Sequence, residues 1–157
     1  MTLSRTVRSA VLVFVACAVV AVAVVAAPGG ARLAHAEGPA PVATLTVTAK
    51  LVEIPTKLPP DDLYDYAYVM RYEVIGGDMD KKTILVAHYK PRQPRSAIKD
   101  AMKKYVSGKV RSFHQGDVQK LQLSAELKSI WKGALVDEFA ATDHKSIRYF
   151  ALVADPA

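Results

Sequence analysis

The chain has 157 residues, with 21 Lys and Arg against 15 Asp and Glu, four His and a single Cys. That length points to one domain, and a single thiol excludes an internal disulfide framework. Asn is absent, so N-glycosylation sequons are excluded and turns must rely on Gly, Asp and Pro.

Residues 1–36 read differently from the rest. Arg5 and Arg8 lie near the start, an unbroken apolar stretch runs from Ala10 to Ala27, and Ala34-His35-Ala36 precedes Glu37. A basic end, an apolar helix and an Ala-x-Ala site are the three parts of a secretory signal, so cleavage is expected between Ala36 and Glu37. The competing reading is an uncleaved anchor, because the 18 residues 10–27 reach the lower limit for spanning a bilayer. Both readings place the remainder outside the cytoplasm, in the periplasm or beyond it. Cys17 lies inside the apolar stretch rather than after it, which argues against a lipoprotein acceptor. The leader holds Arg5, Arg8 and Arg32 and no acid, leaving 18 basic against 15 acidic residues, or +3. That is ordinary solubility charge and not a nucleic-acid footprint.

Residues 37–43 form a short Pro-rich linker, and residues 44–157 form the domain. From Thr44 to Val52, Leu45, Val47, Ala49 and Leu51 alternate with polar residues, the period of a strand with one buried face. Pro55, Pro59 and Pro60 then forbid a central strand. A second strand is expected from Tyr66 to Ile75, a turn at Gly76-Gly77-Asp78, and a returning strand from Thr83 to Lys90. Between Ser96 and Ser107, Ile98, Ala101, Met102, Tyr105 and Val106 fall on one helical face, with Gly108 placed as the C-terminal cap. A fourth strand follows at Val118–Leu123, with Leu121 and Leu123 inward. Residues 124–146 fit neither period and read as a long connection with room for a short helix. The last strand is expected from Ile147 to Ala154.

Three strands, a helix and two strands is the order of an OB-fold. The expected architecture is therefore mainly β: a five-stranded OB-like Greek-key barrel with one helix between strands three and four, preceded by the signal helix. A β-sandwich would call for about seven strands.

No G-x-S-x-G, H-E-x-x-H, phosphate loop or dinucleotide glycine pattern occurs, and no Cys follows the leader. No catalytic residue, metal ligand or cofactor is therefore assigned. His88, His114 and His144 are too widely spaced for a local metal motif; His88 reads as a partly buried strand residue and the other two as solvated. In OB barrels strands two and three carry the ligand face, which makes Tyr66, Tyr68, His88 and Tyr89 candidates by position. The alternative is that the tyrosines pack the core. Lys90, Arg92 and Arg95 sit on a proline-stiffened loop beside that face, where a guanidinium fork suits an anionic ligand, or where the cations pair with Asp61, Asp62 and Asp65. Trp131 is expected to cap the end of the barrel.

The phrases Leu51-Val-Glu-Ile-Pro55, Asp62-Leu-Tyr-Asp-Tyr-Ala-Tyr-Val-Met70 with Tyr72, Ile84-Leu-Val-Ala-His-Tyr89 with Pro91, and Arg148-Tyr-Phe-Ala-Leu152 with Ala154-Asp155 resemble a group of small exported bacterial proteins of uncharacterised function. These in turn look similar to accessory components encoded near cell-surface polysaccharide O-acetylation systems. The resemblance implies an extracytoplasmic role and carries over no catalytic residue.

The expectation is a non-enzymatic envelope module that binds a protein or an anionic polysaccharide. One rival is an envelope enzyme with His88 as general base. The other is a single-stranded nucleic-acid-binding OB domain, which export disfavours.

Overall fold

The computed structural model describes residues 43–56 and 64–157; the signal segment, the Ala36–Glu37 junction, nearly all of the linker, and Asp61 and Asp62 lie outside the described residues. The strands are β1 (Thr44–Glu53), β2 (Tyr66–Val74), β3 (Thr83–Tyr89), β4 (Ser107–Gly108) and β5 (Val118–Ser124). After them come the single-turn helix α1 (Leu127–Ile130), β6 (Ala134–Val136) and β7 (Arg148–Pro156). The fold is mainly β, with all seven strands in one sheet.

β1 pairs antiparallel with β5 over Thr44–Lys50 and with β2 over Ala49–Glu53, so its two ends use opposite edges. β2 pairs antiparallel with β3, β3 pairs parallel with β7, and β7 pairs antiparallel with β5. The path from strand to strand therefore leads back to β1. The short strands β4 and β6 are additions to the expected five, each lying parallel to a longer neighbour, β7 and β2 respectively.

β2 and β3 are buried on both faces. On one face Tyr66, Tyr68, Met70, Tyr72, Ile84 and Val86 join Ala49, Leu51, Leu121 and Leu123 in a first core. On the other, Ala67, Val69, Leu85, Ala87 and Tyr89 meet Ile98, Met102, Val106, Ile130 and Phe139 in a second. Tyr66 and Tyr68 pack edge to face at 4.8 Å, a geometry worth about 0.5–1.5 kcal/mol beyond the area buried. Trp131 lies against Tyr89 in the second core, ring centres 5.0 Å apart, rather than capping an end.

The helix expected over residues 96–107 is replaced by two 3-10 turns, Arg95–Ala97 and Ala101–Lys104. The apolar spacing was legible, since Ile98, Met102 and Val106 are all buried. Asp100 breaks the helix: its backbone is extended and its carboxylate accepts from the Met102 N–H at 2.9 Å and from the Tyr89 hydroxyl at 2.8 Å. A side chain that bonds its own following backbone offers the chain an alternative to helix, and here a tertiary bond holds that choice. Gly108 caps no helix. It sits at φ 125° in β4, where an added Cβ would lie 2.1 Å from the Ala154 carbonyl oxygen.

Candidate functional site

The residues that the OB analogy marks as a ligand face are interior. Tyr66, Tyr68, His88 and Tyr89 are fully buried, and Arg95 is 3% exposed. The segments 95–106 and 127–139 cover the outer face of β2 and β3, so no side chain of these five is presented to a macromolecule. Residues Lys90 and Arg92 remain toward the surface, Lys90 half-buried and Arg92 exposed.

Arg95 turns inward and bonds backbone carbonyls of its own loop. Its Nη1 donates to the Tyr89 carbonyl at 2.6 Å, and its Nη2 donates to the carbonyls of Lys90 and Gln93, the latter at 2.9 Å. The guanidinium also lies over the Phe113 ring, 5.4 Å from its centre. Lys90, held at positive φ, is paired to Asp65 at 2.6 Å and to Asp100 at 3.3 Å. The Asp65 bond raises the Lys90 pKa well above the ordinary lysine value. The loop is thus held by internal charge pairing through Asp65, the structural alternative read from the sequence.

His88 is fully buried, more so than expected. Its Nε2 lies 2.9 Å from the Tyr72 hydroxyl, and that hydroxyl donates to Gln119 Oε1 at 3.1 Å. With its single hydrogen given to Gln119, Tyr72 accepts from His88 Nε2–H, and His88 Nδ1 is left as a bare lone pair with no hydrogen-bond partner. Burial, reinforced by the Arg95 charge, holds the His88 pKa well below the usual imidazole value. Burial likewise pushes the Tyr72 hydroxyl well above its usual value, with Asp117 adding to the effect and Arg95 opposing it. No carboxylate bonds to His88 among the described residues; the Tyr72 hydroxyl is the group that orients its ring.

Gln119 links this interior to the surface. It is 2% exposed, yet it lies at the floor of an open cleft of about 390 Å³ lined by Lys109, Arg111, Ser112, His114, Asp117 and Val118. The cleft is built by β5, which supplies Val118 and Gln119, and by the chain leading into it. Along that chain Val110 and Phe113 turn inward, Phe113 packing on His88 at 4.6 Å, while Lys109, Arg111, Ser112 and His114 stay exposed. Asp117 Oδ2 accepts from the His114 backbone N–H at 2.9 Å and lies 3.5 Å from the His114 ring, which closes the turn at Gly116. Lys109 and Arg111 form no ion pair among the described residues.

The sequence reading assigns no role to Lys109, Arg111 and Gln119, and reads His114 as solvated, which it is. The available signal was the spacing Lys109-x-Arg111-x-x-His114 between two glycines, with apolar residues interleaved. Among the described residues no group of three His, Cys, Asp or Glu is placed to hold a metal, and no helix is long and apolar enough to cross a membrane. Comparison with protein-family models, curated proteins and solved structures finds no match for this chain.

Proposed function

We propose that this chain is an exported, non-enzymatic binding module of the bacterial cell envelope, built on an OB-like Greek-key barrel, that recognises an anionic partner. The export half rests on the leader: two arginines, 18 apolar residues and the Ala34-x-Ala36 site. The barrel half is supported by the pairing order, in which β1, β2, β3, β7 and β5 each bond to two of the others and β3 runs parallel to β7. With β4 and β6 set aside, that order supports the OB-like reading.

The observation that carries the binding reading is the contrast in how polar groups are disposed. His88, Tyr72 and Arg95 are sealed in and engaged with their neighbours, whereas the cations Lys109 and Arg111, in no ion pair among the described residues, line an open cleft. Groups that are buried and bonded to one another hold a fold; exposed cations gathered around a concavity are available to a ligand. The resemblance to accessory proteins of surface-polysaccharide modification agrees with an acidic glycan as that ligand.

The reading is tested in two steps. The chain should fractionate with the envelope and shorten at Ala36 or remain anchored; recovery in the cytoplasm with Met1 retained overturns export. The immobilised chain should retain acidic envelope polysaccharide at low salt and release it as salt rises, because exposed ion pairs are screened. Loss of all retention at low salt overturns the binding role.

A further inference from the structure

We infer that the cleft between residues 109–114 and the start of β5 is a subsite for one uronic-acid unit, its carboxylate taken by Lys109 and Arg111 and its hydroxyls by Gln119, Ser112 and Asp117. This rests on the binding-module reading and gives it an address and a ligand class.

Three features carry the assignment. The first is the pair of cations lining the cleft that have no ion partner among the described residues. A guanidinium binds a carboxylate through two parallel bonds, and a neighbouring ammonium adds charge without demanding a fixed geometry. The second is Gln119. Its carbonyl oxygen is occupied by the Tyr72 hydroxyl at 3.1 Å, which fixes the amide orientation and leaves the NH2 group as the donor at the cleft floor. A side chain this buried is held in one place, so the donor is ready before a ligand arrives. The third is the mixture of roles. Asp117 is a fixed acceptor, Gln119 a fixed donor, and the Ser112 hydroxyl serves as either. Sugar hydroxyls need both kinds within a few ångströms, whereas a bare inorganic anion has no use for a carboxylate neighbour. The cleft volume of about 390 Å³ falls in the range of small-ligand sites. A protein partner would call for an aromatic anchor at the centre of the patch, and the apolar lining here is only Val110, Val118 and Pro156.

The experiment is calorimetric titration of the full chain with galacturonate, a short oligogalacturonate, galactose and a poly-glutamate peptide at low ionic strength. Galacturonate and its oligomer should bind, galactose should bind at least about tenfold more weakly for want of the carboxylate, and affinity should fall with salt. Arg111→Gln and Lys109→Gln, both at exposed positions, should each reduce galacturonate affinity by about tenfold with an unchanged melting temperature. Gln119→Glu keeps the acceptor for Tyr72 and replaces the donor by a repelling charge; it should abolish binding. Equal binding of galactose and galacturonate overturns the carboxylate assignment, and tighter binding of poly-glutamate overturns the sugar in favour of an acidic protein. Should the Lys109→Gln/Arg111→Gln double variant still hold envelope polysaccharide, the cleft is the wrong address although the module reading survives. Failure of the unaltered chain to hold any removes both.

Discussion

Two parts of this molecule each hold a histidine and an arginine, in opposite settings. The interior behind β3 holds His88, Arg95 and Tyr72; the cleft beside β5 holds His114, Arg111 and Gln119. His88 is fully buried while the His114 side chain is 71% exposed. Arg95 donates to three carbonyls, whereas Arg111 has no ion partner among the described residues. The two regions share the segment 109–114, in which Val110 and Phe113 turn inward and the rest stay exposed, so Phe113 closes the interior that Arg111 and His114 border from outside. Residue type does not say which of these is a site. The number of internal partners does.

Breaking the interior should cost stability, and the largest effect is expected at Arg95. Arg95→Ala leaves the buried Tyr89 carbonyl without its guanidinium donor and takes the charged donors from the Lys90 and Gln93 carbonyls; it should destabilise by at least about 3 kcal/mol in urea denaturation, since charged hydrogen bonds contribute about 1.5–3 kcal/mol each. This corrects the expectation from sequence that Arg95 is a ligand residue on a surface loop. Gly108→Ala should follow, because the added Cβ meets the Ala154 carbonyl and the φ of 125° strains any side chain; about 2 kcal/mol is expected from the same measurement.

Tyr72→Phe removes the hydroxyl between His88 and Gln119 and should cost about 1–3 kcal/mol, the range for leaving buried polar groups unpaired. The pH dependence belongs to His88. Its folded pKa is depressed, so the unfolded chain binds the extra proton first: its contribution is complete above the unfolded value of about 6.5 and declines as pH falls below it toward the folded value. Stability should drop there by up to about 1.4 kcal/mol per pH unit, and His88→Gln should flatten that slope in melts taken from pH 7 to 5. The smallest effect is expected outside: Arg111→Gln should stay within about 0.5 kcal/mol.

Much of the sheet was legible because β1, β3 and β7 are runs rich in β-branched and apolar residues bounded by Pro, Gly or polar segments, and their ends shift by only a residue or two from the expected bounds. The site was not. The run Tyr66-Ala-Tyr-Val-Met70 is apolar at every position, which is the mark of a strand covered on both faces, and the OB analogy led instead to an exposed ligand face. The cover itself was hard to read, because Ile98, Met102 and Val106 keep helical spacing while Asp100 holds the chain in 3-10 turns. β4 and β6 are two and three residues long, too short to show any period. Gln119 could not be found from sequence, since its significance lies in a bond to Tyr72, 47 residues away.

The most direct measurement is a map of backbone and side-chain amide resonances of the full chain during titration with oligogalacturonate. The account predicts shifts at Lys109, Arg111, His114 and above all the Gln119 side-chain amide, with Tyr89, Lys90 and Arg92 unmoved. Shifts confined to residues 89–95, with Gln119 silent, would contradict it and return the ligand to the face of β2 and β3.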